Sequence, residues 1–385
     1  MRVLLVNQFF HPSQAGTSYL LTDLATHLAA LGHDVVVICQ KAETPGCDSA
    51  RDLSQIKVTR IAGPRFGRGR YRRVFSYGAF FAGALVSGFA ARRADVVVTL
   101  TTPPLLSVLG SLLKRFKGSR HVSWEMDVYP DIAVEVGVLG KNALPTRALR
   151  VIANWSRQYA DTVIALGDDM RDLLLRTDLD GTKVLVAENW SDSTEVQPGP
   201  FPQGRLEVLY AGNLGLAHDV STVQGAMISC SDANTFRFTF TGGGIHRTAL
   251  EEFVEKHQLS NVSFRGPYRD NERYEMFSGC HVGLVTQNEN VAGSMVPSKI
   301  YGMLAAGRPV LYIGPNNTTA AKIVKSHDCG WRVAPGDVNG LVKLLHTLNA
   351  NRELIYAAGR RARQALLQHY DRSIAMSKLA PLIIR

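Results

Sequence analysis

Short apolar runs alternate with amphipathic stretches along the whole chain. In the first half, residues 3–6, 35–38, 57–61, 95–100, 121–124, 162–165 and 184–187 read as strands. Several of these runs are uninterrupted, which marks strands buried on both faces of a parallel sheet. Helical spacing fills the gaps. Leu20, Leu21, Leu24, Leu28 and Leu31 share one face of a helix that Gly32 stops and that Thr17 or Ser18 is expected to cap. Further helices are predicted over 74–91, 104–116, 145–159 and 168–176. The alternation resumes with strands at 208–211, 237–241, 262–265, 282–285 and 310–313, and helices at 246–257, 341–348, 353–368 and 373–384. Between the two series, residues 191–204 are rich in Ser, Pro and Gly and lack periodicity, so they read as a linker. The pattern predicts an α/β chain of two Rossmann-like domains, 1–190 and 205–372, each a parallel sheet covered by helices. The opening strand–loop–helix has no GxGxxG, which argues against a nicotinamide cofactor.

The most informative stretch is 286–311, TQNENVAGSMVPSKIYGMLAAGRPVL. An apolar run precedes it, a polar loop follows, then a short helix and another apolar run, the order of a βαβ unit. Ligands of such sheets sit beyond the carboxyl ends of the strands, where this loop lies. Pro297 suits a first helical position, and Ser298 and Lys299 would then present a hydroxyl and a cation to an anion such as phosphate. Two glycine-rich strand exits, Gly212-Asn213-Leu214-Gly215 and Gly242-Gly243-Gly244, allow close backbone approach to a ligand. Gly16 offers the same after the first strand. Glu125, Asp127 and Asp131 place three carboxylates within seven residues at the end of another strand. Asp127 and Asp131 are candidates to accept hydrogen bonds from sugar hydroxyls or to orient an acceptor hydroxyl, with helix capping as the alternative role.

These segments together, with Asn189-Trp190, resemble the retaining GT-B glycosyltransferases of family 4, most closely the bacterial members that build cell-surface polysaccharides. The resemblance runs over nearly the entire chain. It implies two Rossmann-like domains whose parallel sheets face a central cleft, the first binding acceptor and the second binding nucleotide sugar. A final helix, 373–385, would cross back to the first domain. It implies transfer, with retention, from a UDP-hexose or UDP-N-acetylhexosamine to a lipid-linked or polysaccharide acceptor in cell-envelope glycan synthesis. Lys299, Ser298, Pro297, Ser294, Asn213, Gly16 and the glycine loops would hold the donor. Lys299 and Asp127 would be the catalytic pair, and no cofactor or metal would be needed. The chain departs from the family in places. Its paired glutamates fall at Ser294 and Gly302, so ribose is expected to be held by backbone or water. Its arginine and lysine near the diphosphate fall closest to Asn213 and His218. A nucleotide-sugar epimerase on the same plan and a non-catalytic nucleotide-sugar-binding subunit are the competing readings.

Composition narrows the partners. At 385 residues with 45% hydrophobic content, the chain is long enough for two cores. Its net charge of +10 suits phosphorylated ligands or an anionic membrane, while the aromatic-and-basic signatures of nucleic-acid binding are missing. Five scattered cysteines without CxxC spacing fit a reducing compartment and buried thiols. The chain enters a strand at once, so no signal peptide is expected. One segment is unlike ordinary core. Arg65, Arg68, Arg70, Arg72 and Arg73 precede an uncharged run over 74–91, which Arg92 and Arg93 close. We expect a helix lying against an anionic membrane through Arg68, Arg70, Arg72 and Arg73, with the protein cytoplasmic and peripheral on the inner face of the cell membrane.

Overall fold

The computed structural model describes residues 1–42, 51–64, 69–268 and 272–385; Cys47, Arg65, Arg68 and the Arg70 side chain lie outside this description. The chain forms two compact units. The first comprises residues 1–188, 293–295 and 375–385, and the second residues 189–292 and 296–374.

The first unit is built on seven parallel strands: β1 (Arg2–Val6), β2 (Asp34–Gln40), β3 (Ile56–Ile61), β4 (Val96–Thr99), β5 (Arg120–Trp124), β6 (Thr162–Ala165) and β7 (Val184–Val186). Their order is β3-β2-β1-β4-β5-β6-β7. Helices α1 (Gly16–Ala30), α2 (Arg70–Ala90), α3 (Ser107–Lys117), α4 (Asp131–Glu135), α5 (Leu144–Tyr159) and α6 (Asp168–Leu175) make the crossovers. The central strands are buried on both faces because Val3, Leu5, Val96 and Val98 point to one side while Leu4, Val6 and Val97 point to the other. The order reverses between β1 and β4. The loops leaving these two strands therefore diverge and open a crevice at their carboxyl ends.

The second unit repeats the plan with six parallel strands, β8 (Leu206–Ala211), β9 (Phe236–Thr241), β10 (Val262–Arg265), β11 (Val282–Thr286), β12 (Val310–Ile313) and β13 (Gly330–Val333), ordered β10-β9-β8-β11-β12-β13. Its helices are α7 (Ser221–Ser229), α8 (Ile245–Lys256), α9 (Arg273–Ser278), α10 (Lys299–Ala305), α11 (Thr319–Ser326), α12 (Val338–Ala350) and α13 (Arg352–Ala365). Here the reversal falls between β8 and β11. A last helix, α14 (Arg372–Ile383), ends in the first unit, where the Arg120 guanidinium donates to the carbonyls of Leu382 and Ile383 at 3.0 and 2.6 Å.

Several local expectations are corrected. Helix α1 starts at Gly16 without a side-chain cap; Ser18 is already buried in its first turn, and the Thr17 hydroxyl accepts from Asn7 Nδ2 at 3.3 Å. Helix α10 starts at Lys299 behind Ser298, so Pro297 stands before the cap instead of at the first helical position. The Pro297 carbonyl accepts the Ile300 amide at 3.3 Å in a tight turn, and this delays the helix. Helix α7 begins at Ser221, with the Asp219 carboxylate accepting from the Thr222 amide and hydroxyl at 2.9 and 3.0 Å.

The segment read as a linker, residues 191–204, packs within the second unit. Arg308, only 1% exposed, donates to the carbonyls of Gly199 and Pro200 at 3.0 and 2.8 Å and to that of Phe277 at 3.0 Å. Its guanidinium lies 4.1 Å from the Phe201 ring centroid. Arg363 donates to the carbonyls of Ser193 and Val196 at 3.0 and 2.9 Å. Cys39, Cys230, Cys280 and Cys329 are free and buried. Burial pushes the first two thiols up to about 11 and the last two up to about 12. Replacing Arg308 by Met should destabilise the second unit by about 3 kcal/mol, because buried carbonyls lose their donor. Urea unfolding checks this, and a loss below ~0.5 kcal/mol would mean water replaces the guanidinium there.

Candidate active site

The loops leaving β8 and β9 pack backbone to backbone. Gly212 accepts nothing in place of hydrogen at its α-carbon: a Cβ would stand 2.7 Å from Lys299 Cε. Gly242 has φ +110° and a Cβ there would meet the Gly212 carbonyl oxygen at 2.4 Å. At Gly244, with φ +132°, it would meet the Leu214 carbonyl oxygen at 2.3 Å. The Leu214 amide donates to the Gly243 carbonyl at 2.7 Å, closing the pair of loops. Two glycines of the triplet thus serve the contact between loops, while the Cα of Gly243 faces open space. Beside them lies a small concavity floored by Tyr210, Phe240 and Phe264 and rimmed by Gly212, Gly243 and Arg247. Asn213 is exposed and its carbonyl accepts from the Tyr210 hydroxyl at 2.8 Å; Gly215 accepts the His218 amide at 3.2 Å.

Lys299 occupies the reversal between β8 and β11. The Thr286 carbonyl at the end of β11 lies 2.7 Å from His218 Nδ1. A carbonyl only accepts, so Nδ1 carries the proton and Nε2 offers a lone pair. Lys299 Nζ lies 3.2 Å from that Nε2 and 5.2 Å from the Tyr210 ring centroid. Burial, then the Lys299 charge, drives His218 down to about 3, so it stays neutral. Burial alone brings Lys299 down to about 8. Among the described residues Lys299 has no carboxylate partner. A partly buried cation against a neutral imidazole and a ring face is arranged to receive an anion. Ser298 is exposed next to it, and Pro297 is buried. Gly302, one turn along α10, would put a Cβ 3.3 Å from Phe277 Cζ, so its small size is explained by helix packing.

The first unit gathers a second set of groups beyond β5. Glu125 is fully committed: its carboxylate accepts from Ser123 Oγ at 2.7 Å and pairs with Arg157 at 3.0 Å, both side chains being buried. Arg157 also donates to the Tyr129 carbonyl at 2.8 Å, fixing the loop. Asp127 then projects from a rigid turn. Its amide lies 3.3 Å from Thr101 Oγ1 after β4, and its backbone bridges Met295 while the Val128 amide donates to the Ser294 carbonyl at 2.8 Å. Burial, reinforced by the Glu125 charge, raises Asp127 to about 6. Tyr77 of α2 and Tyr129 both lie within its electrostatic reach, and burial raises both phenols.

The other residues singled out in the sequence divide. Asp131 is ion-paired to Arg150 at 2.9 Å. Ser294 is fully buried and hydrogen-bonded to Glu135, so its hydroxyl serves the first unit. Gly16 is exposed at the head of α1. Lys299, His218, Gly212 and Gly242 come together. Tyr210 and Thr286 were not singled out, because nothing in a strand's last residues distinguishes a site-facing side chain or carbonyl from an ordinary one. Among the described residues no three His, Cys, Asp or Glu side chains gather as a metal site.

Comparison with known proteins bears on this geometry. Residues 15–190 match the glycosyl transferase 4-like domain. A probable glycosyltransferase, WbjE of Pseudomonas aeruginosa, is 29% identical over 308 residues, covering 76% of this chain and 75% of that protein. HepE of Anabaena, solved in complex with UDP-glucose, superposes with a TM-score of 0.74 at 15% identity over 99% of this chain and 98% of its own. WaaG, a glycosyltransferase involved in lipopolysaccharide biosynthesis, superposes with a TM-score of 0.71 at 18% identity over the full length of both chains. The fold is therefore that of the GT-B glycosyltransferases, two units each built on a parallel sheet. The match to a glycosyl transferase 4-like domain falls on the first half of the chain, and the curated relative that spans three quarters of it is named a probable glycosyltransferase.

With its environment as described, Lys299 should titrate near 8 in the unliganded protein, not at the usual 10.5. A ¹³Cε NMR titration of lysine-labelled protein, with Lys299→Arg for assignment, measures this. A midpoint above about 10 would mean that water solvates the amine as in a free chain.

Proposed function

We propose that the enzyme transfers a hexose or N-acetylhexosamine, with retention, from its UDP-linked form to a lipid-linked or polysaccharide acceptor in envelope glycan synthesis. The observation that carries this reading is Lys299, a cation with no carboxylate partner among the described residues, at the sheet reversal of the second unit. HepE, which shares the fold, is solved with UDP-glucose, and WaaG acts in lipopolysaccharide biosynthesis. In the reaction, the bond between the sugar's anomeric carbon and the β-phosphate oxygen breaks as the bond to the acceptor oxygen forms on the same face. The acceptor's proton passes to the leaving phosphate. Lys299 stabilises the charge that grows on that phosphate, and no metal is assigned to this step. Asp127 accepts a hydrogen bond from a sugar or acceptor hydroxyl. With glycine at position 302, ribose is left to backbone groups or water.

Replacing Lys299 by Ala should weaken UDP binding by about 1.5–3 kcal/mol, the range for a hydrogen bond to a charged group. Calorimetry with UDP measures it, and an unchanged dissociation constant removes Lys299 from the donor site. Incubation with UDP-sugars and a lipid extract separates the competing activities. Transfer to lipid supports the present reading, an isomerised free UDP-sugar indicates an epimerase, and binding without turnover indicates a binding subunit.

We place the enzyme on the cytoplasmic face of an anionic membrane, bound through α2. Tyr71, Phe75 and Val86 are 90%, 69% and 69% exposed, and they line one side of this helix. Tyr71–Ala90 is long and apolar enough to cross a membrane by length and composition. Its other side, however, is packed: Phe80 and Ala84 are buried against the sheet, and Gly88 abuts Leu113 of α3. The helix therefore lies on the surface, with Arg72, Arg92 and Arg93 at its ends. Phe75→Ser combined with Val86→Ser should release the protein from phosphatidylglycerol liposomes in a flotation assay at low salt, with its melting temperature unchanged. If the variant floats with the liposomes as the wild type does, the exposed side of α2 is not the membrane contact.

A further inference from the structure

The turn that carries His218 is fastened to the end of β11. Asn288, two residues past that strand, donates from its amide to the Ala217 carbonyl at 2.8 Å and from Nδ2 to the Leu216 carbonyl at 2.9 Å. His218 Nδ1 donates to the Thr286 carbonyl at 2.7 Å. The next residue, Asp219, ties the other end of the turn to α7 through Thr222. The imidazole itself is buried, stays neutral for that reason, and meets the Tyr210 ring edge-on at 5.7 Å. It therefore keeps one orientation and one tautomer, and the Nε2 lone pair points in a fixed direction. Lys299 is its opposite, a point charge on a flexible stem with three rotatable donors. The stem crosses Gly212, where a Cβ would stand 2.7 Å from Cε, and the amine ends 3.2 Å from His218 Nε2.

We infer that His218 is a positioning residue of the donor site: its Nε2 lone pair takes one N–H of the Lys299 ammonium and so aims the other two at oxygens of the donor's diphosphate. The inference rests on the reading of Lys299 as the ligand of that diphosphate. The three ammonium protons turn together about the Cε–Nζ bond, so fixing one fixes all. His218 does not touch the donor; it acts through the lysine. The ring cannot exchange the roles of its nitrogens without losing the Thr286 bond, because a carbonyl only accepts. A neutral acceptor also suits the task better than an acid. A carboxylate in its place would hold the amine more strongly and neutralise the charge meant for phosphate.

Two substitutions separate the two nitrogens. Asn puts its amide near Nδ1, so it can still donate to the Thr286 carbonyl but ends short of Lys299. Gln puts its amide near Nε2, so its oxygen can accept from Lys299 while the Thr286 bond is given up. His218→Asn should weaken UDP binding about tenfold in calorimetry, as expected for loss of a hydrogen bond to a charged group. His218→Gln should recover most of that loss. A merely structural histidine would give the reverse order, since Asn keeps the anchor and Gln breaks it. In a Lys299→Ala background, His218→Asn should weaken binding no further. The wild type supplies a readout of its own: ¹⁵N histidine spectra at neutral pH, with His218 assigned by its loss in His218→Asn, should show a protonated Nδ1 and a bare Nε2. The inference is overturned if Nε2 carries a proton, if His218→Asn binds UDP as wild type does, if folded His218→Gln binds no better than His218→Asn, or if the effect of His218→Asn persists without Lys299. Lys299→Ala alone tells the two readings apart. If it binds UDP as tightly as wild type, the donor-site reading fails and takes this inference with it; if it binds more weakly, any of those outcomes removes His218 alone.

Discussion

A lysine sits against a histidine that burial keeps neutral. The Thr286 carbonyl takes the Nδ1 proton of His218, and the remaining lone pair faces Lys299. Were the imidazole protonated, the two cations would repel at 3.2 Å. Burial prevents that, and the requirement spreads outwards. Tyr210 must lend its ring face, and residue 212 must lack a side chain so that the lysine stem can lie across it. Residues 242 and 244 must then be glycines so that the neighbouring loop can close against the first. Position 212 thus answers to the lysine stem, and positions 242 and 244 answer to the carbonyls of the adjoining loop.

The first unit solves the opposite electrostatic problem. Two acidic residues stand two positions apart at the end of β5, and they differ because, among the described residues, only Glu125 has a counterion. Glu125 is matched to buried Arg157, while Asp127 is left with phenols and the Glu125 charge itself. A buried ion pair of this kind gives little net stability, but breaking it is costly, and here it fixes the turn on which Asp127 stands. The carboxyl that is free to act owes its position to the one that is not.

Much of this was legible in the sequence. Uninterrupted runs such as Val3–Val6 and Val96–Thr99 announce parallel strands, because a strand buried on both faces has no polar side to show. The glycine-rich exits and Lys299 were legible because their residue types are constrained by backbone geometry and charge. The short elements α9, α11 and β13 escaped, since four to eight residues give too few turns or alternations to establish a period. Helix starts were misplaced by two or three residues at α1 and α10, because Ser and Thr beside a helix can bond elsewhere, as Thr17 does with Asn7. The contrasting fates of Glu125, Asp127 and Asp131 depend on arginines 19 to 32 residues away.

The four described thiols have a use that their chemistry does not advertise. A thiol reacts as its thiolate, and burial holds all four at about 11 or 12. Alkylation at neutral pH therefore waits for the surrounding core to open. Cys39 sits in β2 of the first unit, while Cys230, Cys280 and Cys329 are distributed through the second. Their modification rates, separated by peptide mapping, amount to a clock for the opening of each sheet, wound by the protein's own sequence and needing no introduced label.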